Sequence, residues 1–192
     1  MALHLDAVGR KIGPVTTTYN WKDVVLYALG VGAGFDELPY VYEKDLKVIP
    51  SFGIATIFDF LFHYANESGV NLAGILHGEQ DLIFHHPIPT EGRLTTEGCI
   101  KHIYDQGKDK GAVIVGESET CLEDGKRLFT SIVKVFSRLD GGFGGDPAPP
   151  NDVVLPERGP DETVKARPSP DQPLLYRLSG DVFQLHVDPE FA

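Results

Sequence analysis

Cysteine, positive charge and long apolar runs are all scarce in this sequence. Two of the 192 residues are cysteine, Cys99 and Cys121, and neither lies in a C-x-x-C or other metal-ligand spacing. We therefore expect neither a disulfide framework nor a metal site. Both thiols are predicted to be buried, in a protein of a reducing compartment.

The lack of long apolar runs also bears on location. No stretch approaches the length needed to cross a bilayer, and residues 1–11 lack the uninterrupted apolar segment of a secretory signal. These features predict a cytoplasmic protein, or a peroxisomal one if the source is eukaryotic and the full-length chain carries a targeting signal. The 17 basic residues against 28 acidic ones give a net charge of −11, which argues against nonspecific nucleic-acid or membrane partners.

Helical patterns occupy the first third of the chain. Asn20 is a good cap for a helix over residues 21–29, and an extended stretch is predicted over residues 40–49. A second helix is predicted from Ser51 to about Asn66, with one apolar face that comprises Ile54, Ile57, Phe58, Leu61, Phe62 and Ala65. Because Phe60 makes the other face apolar as well, we expect a curved sheet to wrap this helix.

Strand patterns follow. Residues 75–86, 93–104, 112–122 and 128–139 are rich in β-branched and aromatic residues, and Asp124-Gly125 is a hairpin signal between the last two. The sequence therefore predicts an α+β domain over residues 1–140, with a four-stranded antiparallel meander around a central helix. Residues 141–173 are rich in Gly and Pro and predict a linker; their glycine cluster lacks the spacing of a phosphate-binding loop.

The C-terminal residues place a carboxylate and an imidazole close together. Asp181 and His186 lie five residues apart behind the Ser179-Gly180 turn. Such a pair could hold and deprotonate one water molecule. On spacing alone, an ordinary turn in which Asp181 accepts backbone hydrogen bonds is the favoured interpretation.

The surrounding residues favour the water-binding pair over the ordinary turn. Residues 176–192 resemble the hydratase 2 motif of the MaoC-like dehydratases, Y-R-L-S-G-D-x-N-P-L-H-x-D-P-x-F-A, and depart from it where Phe183 and Gln184 replace Asn-Pro. Residues 27–33 (YALGVGA), 48–53 (VIPSFG), 76–80 (LHGEQ) and 141–145 (GGFGG) resemble further segments of that family, in the same order.

This resemblance implies two hot-dog domains in one chain. The first, residues 1–140, would accommodate a fatty acyl tail, and residues 174–192 would begin the second, catalytic hot-dog domain in a chain that looks truncated. Asp181 and His186 would be the catalytic pair that hydrates a trans-2-enoyl-CoA to the (R)-3-hydroxyacyl-CoA. The coenzyme A thioester would be the substrate, without a further cofactor. The backbone donors for the thioester oxyanion would follow the motif in the family.

The resemblance also suggests substrate-binding residues. His77 and Gly78 match pocket-lining positions, and the residues between the catalytic pair, Val182, Phe183, Gln184 and Leu185, would contact the substrate. The family's Asp-Lys-Gly reads Asp105-Gln106-Gly107-Lys108 here, so Gln106 and Lys108 are candidates for binding coenzyme A, with Lys110 as a substitute and a solvated surface as the alternative. Phe183 cannot make the hydrogen bonds of the family's Asn, which puts catalysis in doubt.

Two other functions remain open. The hot-dog fold also serves acyl-CoA thioesterases. A noncatalytic acyl-CoA-binding or assembly subunit is the other possibility, favoured by the altered turn. The expected assembly is a homodimer, or a pair with a chain that supplies the missing half-domain.

Overall fold

The computed structural model describes residues 3–150 and 154–191, so parts of the predicted linker and the last residue of the predicted catalytic segment lie outside the described residues. The strands are β1 (Lys11–Tyr19), β2 (Ile75–Phe84), β3 (Gly92–Asp105), β4 (Ala112–Leu122) and β5 (Arg127–Ser137). The α-helices are α1 (Trp21–Gly30), α2 (Leu38–Val41), α3 (Phe52–Ala55), α4 (Phe58–Ser68) and α5 (Gln172–Tyr176). Short 3-10 helices span Leu5–Ala7, Phe35–Glu37, Leu72–Gly74, Arg177–Ser179 and Gln184–His186.

The five strands form one antiparallel sheet in the order β1-β3-β4-β5-β2. The four predicted strands are present, but the predicted meander is wrong because β2 pairs with β5 instead of β3. The prediction also missed β1, which pairs with β3 at the edge of the sheet. Its strand pattern is interrupted by Gly13-Pro14, which the structure accommodates with a register shift between Ile12 and Val15.

The predicted first helix is confirmed. The Asn20 side chain accepts from the Lys22 backbone N–H at 2.9 Å, and the Asp23 carboxylate accepts from the Asn20 N–H at 2.8 Å, which closes the N-terminus. The predicted extended stretch at residues 40–49 is wrong over its first part, since Leu38–Val41 forms α2. Pro39 lies in the first turn of α2, where its missing N–H costs no hydrogen bond.

The predicted central helix is divided into α3 and α4. The Thr56 hydroxyl donates to the Gly53 carbonyl at 2.7 Å at this break. Phe60 and Tyr64 form the face of α4 that packs on the sheet, and their side chains are 2% exposed. A Cβ atom at Gly98 in β3 would lie 2.8 Å from the Phe60 ring, and one at Gly116 in β4 would lie 2.4 Å from the Tyr64 ring. These glycines therefore allow the helix to approach the sheet.

The apolar face that the sequence favoured is only partly in the core. Ile57 and Ala65 are buried there as predicted. Phe58 and Leu61 are half-buried, and Phe62 is 44% exposed, so these three lie outside the fully buried core.

The two cysteines also differ from expectation, because both are partly exposed. Cys99 and Cys121 alternate along their strands with buried neighbours and so occupy the opposite face of the sheet.

The glycine cluster at residues 141–145 is attached to the end of β3. The Asp105 carboxylate accepts hydrogen bonds from the backbone N–H groups of Gly142 (2.7 Å), Gly107 (2.8 Å) and Gly144 (2.6 Å), and these bonds lower the pKa of Asp105. The described residues between 141 and 171 contain neither helix nor strand. The chain then returns to the domain through α5, which packs on α1.

Candidate functional site

The turn after α5 brings Asp181 and His186 together. The Nε2 atom of His186 lies 3.8 Å from the Oδ2 atom of Asp181, which is longer than a direct hydrogen bond. The side chain of Asp181 is 23% exposed and that of His186 is 53% exposed. The Phe183 N–H donates a long 3.4 Å bond to the other carboxylate oxygen of Asp181. One carboxylate oxygen and the imidazole nitrogen therefore remain able to contact a shared water molecule.

Gly180 allows this turn to lie against α4. Its φ of +121° is strained for a residue with a side chain, and a Cβ atom there would lie 2.9 Å from Cδ2 of Phe58. Two independent features, the backbone conformation and the close contact, thus require glycine immediately before Asp181.

A second contact attaches the segment to α1. A Cβ atom at Gly30 would lie 2.9 Å from Cα of Tyr176, and the Gln172 side-chain amide donates to the Gly30 carbonyl at 3.2 Å. The Tyr176 ring lies 5.9 Å from that of Tyr27 in the core. Burial, reinforced by Tyr27 and by the negative charge of Asp181, raises the pKa of Tyr176 to about 12, so this phenol stays protonated at neutral pH.

Two cavities meet at Asp181 and His186. The first, here called the pair cavity, has a volume of about 350 Å³ and mainly apolar walls, which include Phe58, Leu61 and Phe62 of α4, Leu72, and Val133 and Val135 of β5. The second, here called the α5 cavity, has a volume of about 320 Å³ and a mixed lining of Gly30, Pro168, Gln172, Pro173, Tyr176 and Arg177. A ligand at the carboxylate and imidazole could therefore extend to both sides.

The predicted substrate-binding residues are distributed unevenly around this site. His77, Phe183 and Leu185 line the pair cavity together with Asp181 and His186. Gly78 lies in the register shift between β2 and β5, where a Cβ atom would be 3.0 Å from the Lys134 carbonyl oxygen.

Val182 and Gln184 are exposed and face a smaller cavity of about 270 Å³, here called the side cavity. Phe183 also lines this cavity.

Gln106 and Lys108 are not among the residues that line the cavities at Asp181 and His186. Gln106 lines a separate cavity of about 490 Å³ with Asp109, Lys110, Phe136 and Arg138. Lys108 is exposed, and its backbone lies against Gly142. The structure therefore places this loop apart from the carboxylate and imidazole.

The sequence prediction missed the residues that hold the segment in place and line the α5 cavity. Tyr176 and Arg177 belong to the same Y-R-L-S-G-D segment as Asp181, so their position in that segment was an available signal. Gly30 lies in the family-like segment 27–33, which was a signal of the same kind, whereas Gln172 carried none. Within residues 3–150 and 154–191, no group of three His, Cys, Asp or Glu side chains is arranged to hold a metal ion. Over the same residues, no helix has both the length and the apolar character of a membrane span.

Comparison with known proteins gives a consistent result. A family model described as the MFE-2 hydratase 2 N-terminal domain matches residues 17–139. A Mycobacterium tuberculosis protein named enoyl-CoA hydratase is 37% identical over the whole chain, which covers 70% of that relative. Dictyostelium discoideum has a probable enoyl-CoA hydratase 2 that is 36% identical over 96% of the chain, corresponding to 66% of the relative. The peroxisomal multifunctional enzyme type 2 of Drosophila melanogaster is 37% identical over 91% of the chain, which spans 31% of that protein.

Solved structures agree with these relatives. The crystal structure of a MaoC-like dehydratase from Phytophthora capsici matches 98% of this chain and 68% of its own, with a TM-score of 0.82 and 28% identity. The full-length Drosophila multifunctional enzyme matches 94% of this chain and 32% of its own, with a TM-score of 0.74 and 34% identity. These neighbours confirm the predicted α+β hot-dog fold. With the family match over residues 17–139 and the curated relatives, they show that the chain belongs to the hydratase 2 family of MaoC-like dehydratases.

Proposed function

We propose that this chain supplies the acyl-accommodating domain and the catalytic pair of an enzyme that hydrates trans-2-enoyl-CoA to (R)-3-hydroxyacyl-CoA. The observation that carries the proposal is the convergence of Asp181 and His186, 3.8 Å apart, where a mainly apolar cavity meets a second cavity. An enoyl-CoA needs two such spaces, one for its acyl chain and one for its carrier, on either side of the reacting carbons. The names of the relatives support the same reaction.

The chemistry adds one water molecule across a carbon–carbon double bond. Oδ2 of Asp181 and Nε2 of His186, 3.8 Å apart, can both contact that water. One group takes a proton from the water as its oxygen bonds to the β-carbon, and a proton is delivered to the α-carbon. Negative charge builds on the thioester oxygen between these events and needs backbone donors. By the family resemblance, those donors belong to the polypeptide that follows the motif.

The remaining site assignments belong to the same proposal. His77, Gly78, Phe183 and Leu185 would contact the acyl part, and Val182 and Gln184 would border it. Gln106 and Lys108 would contact coenzyme A in the completed protein. The thioester is the substrate, and no other cofactor is proposed.

We also propose that residues 1–140 form the first hot-dog domain, that residues 141–173 are a linker and that residues 174–192 begin a second domain. The family match ends at residue 139, which supports the first boundary. The described residues between 141 and 171 contain neither helix nor strand, which supports the linker.

A partner for the edge of the sheet is also proposed. Strand β2 has ten residues and pairs on one side with β5, which leaves its other edge without a strand among the described residues. Such an edge can pair with a further strand, either from a second copy or from a chain that supplies the rest of the second domain. Several relatives are named peroxisomal; the cytoplasm, or the peroxisome with a targeting signal, is the proposed location.

The test compares this chain with a completed chain that carries the remainder of its mycobacterial relative. Loss of enoyl absorbance and the configuration of the product would be measured with crotonyl-CoA. We expect hydration by the completed chain, a fall of about 10²-fold or more in Asp181→Asn and in His186→Ala, and no change in the control Asp36→Asn, which alters an exposed carboxylate outside the motif. Hydration that survives both substitutions would contradict the assigned roles.

The same proteins separate the alternative functions. Release of free coenzyme A from a saturated acyl-CoA, without hydration, would show a thioesterase. Tight acyl-CoA binding without turnover in the completed chain would show a noncatalytic subunit. The latter alternative is favoured by Phe183, which replaces the Asn of the family motif, and by the exposure of His186.

A further inference from the structure

Phe183 lies between two apolar cavities. The pair cavity and the side cavity share three wall residues, Phe62, Leu72 and Phe183. The side cavity, with a volume of about 270 Å³, continues past Phe183 to Ala73, Val182, Gln184 and Phe191. The Phe183 side chain therefore forms part of the partition between a space that contains Asp181 and His186 and a space that does not.

Phe183 is held by one ring contact and one long backbone hydrogen bond. Its ring meets that of Phe191 edge to face, with centroids 5.6 Å apart and an interplanar angle of 78°. Its backbone N–H donates to Asp181 at 3.4 Å, and the residue precedes the 3-10 helix that contains His186. Phe183 thus lies on the same turn as the proposed catalytic pair, two residues after Asp181 and three residues before His186.

We propose that Phe183 determines acyl-chain length by closing the side cavity to the acyl chain. This inference rests on the proposed function, because it places the thioester at Asp181 and His186 and the acyl chain in the pair cavity. An acyl chain that fills the pair cavity meets the Phe183 ring as a wall. Longer chains must then leave their additional methylene groups in water.

The walls of the side cavity suit such methylene groups once the ring is removed. Apart from Gln184, the side chains around it are apolar. Each methylene that moves from water into an apolar site improves binding by about fourfold. A partition at Phe183 therefore predicts that the affinity for acyl-CoA increases with acyl-chain length only up to a limit. Removal of the ring should allow the affinity to increase for longer chains as well.

Calorimetric binding of butyryl-, octanoyl- and palmitoyl-CoA to the 192-residue chain tests this inference. In the wild type, palmitoyl-CoA should bind no more tightly than octanoyl-CoA. In Phe183→Ala, palmitoyl-CoA should gain about 15-fold over octanoyl-CoA, which corresponds to two further buried methylenes. Phe183→Trp retains a wall and should keep the wild-type profile. Phe35→Ala, which removes a ring that is 86% exposed on another part of the surface, is the matched control.

The possible results separate this inference from the proposed function. Equal length profiles in the wild type and Phe183→Ala, or a palmitoyl preference already present in the wild type, would overturn the role of Phe183 and leave the hydratase proposal intact. A shifted profile in a completed chain that lacks hydration would support the role of Phe183 and overturn the hydratase proposal. If neither protein binds any of the three thioesters, the role of Phe183 is wrong, and hydration by the completed chain decides the hydratase proposal separately.

Discussion

Replacement of Gly30 by Ala should weaken the docking of α5 without lowering the free energy of unfolding of the domain. Gly30 is the last residue of α1, and a Cβ atom there would lie 2.9 Å from Cα and 3.3 Å from N of Tyr176. Both contacts are to backbone, so α5 must move away. Overpacking of this kind costs about 1–3 kcal/mol, whereas Ala in place of a helical Gly gains about 0.5–1 kcal/mol.

The two effects act on different parts of the molecule. The helix gain applies to folding of the domain, so the free energy of unfolding should stay unchanged or rise by up to ~1 kcal/mol. The overpacking cost applies to the docking of α5, a helix of five residues whose loss would leave the sheet and α4 in place. Detachment of α5 would also release Asp181 and His186 from their position between the two cavities.

Limited trypsin digestion measures the docking directly. Arg177 follows α5 and is half-buried, whereas Lys165 is exposed in the preceding segment and serves as the internal reference. In Gly30→Ala, the rate of cleavage after Arg177 should increase relative to that after Lys165, while the urea midpoint of the domain does not fall. Gly34→Ala is the control, because the nearest atom to its added Cβ is a flexible Glu37 oxygen at 3.9 Å. An unchanged cleavage ratio would refute the docking argument.

Two further predictions concern the domain itself. Phe60→Ala should lower the free energy of unfolding by about 3–5 kcal/mol, since it empties a fully buried site. Phe62→Ala should cost clearly less, because that residue is 44% exposed. Equal costs in urea denaturation would contradict the assignment of the two faces of α4. Asp105→Asn should destabilise the protein at neutral pH. The folded-state pKa of Asp105 is lowered, so its stabilisation is present above the unfolded-state pKa and disappears as the pH falls through the folded-state value. Denaturation midpoints of the two proteins should therefore converge in acid, and a constant difference would contradict this linkage.

Local patterns in the sequence predicted the type of most elements but could not determine which face of α4 forms the core. Both faces of that helix are apolar, and the spacing favoured the face with Phe58 and Phe62, which lie outside the buried core. The decision comes from Gly98 and Gly116, which lie in β3 and β4 and accept the rings of Phe60 and Tyr64. Such complementarity between a helix and distant strands is not encoded in the periodicity of either segment.

The sheet order was unpredictable for a related reason. Strand β1 was hidden by Gly13-Pro14, and the pairing of β2 with β5 joins segments that are about fifty residues apart in the sequence. The proximity of Asp181 and His186 could be anticipated, because only four residues separate them directly after the glycine turn. The apolar wall beside them comes from Phe58 and Leu61, more than a hundred residues earlier, which no spacing within the motif indicates.

The ambiguity of α4 has a functional explanation. A helix that served only as a core element would need one apolar face, and a second apolar face left in water would be unfavourable. Here the second face is covered on one side by the turn at Gly180, whose missing side chain allows contact with Phe58. Beyond that contact, the face borders the pair cavity. The residues that misled the assignment of the core are therefore the residues for which we propose contact with the acyl chain, and the turn at Gly180 places them beside the carboxylate of the proposed catalytic pair.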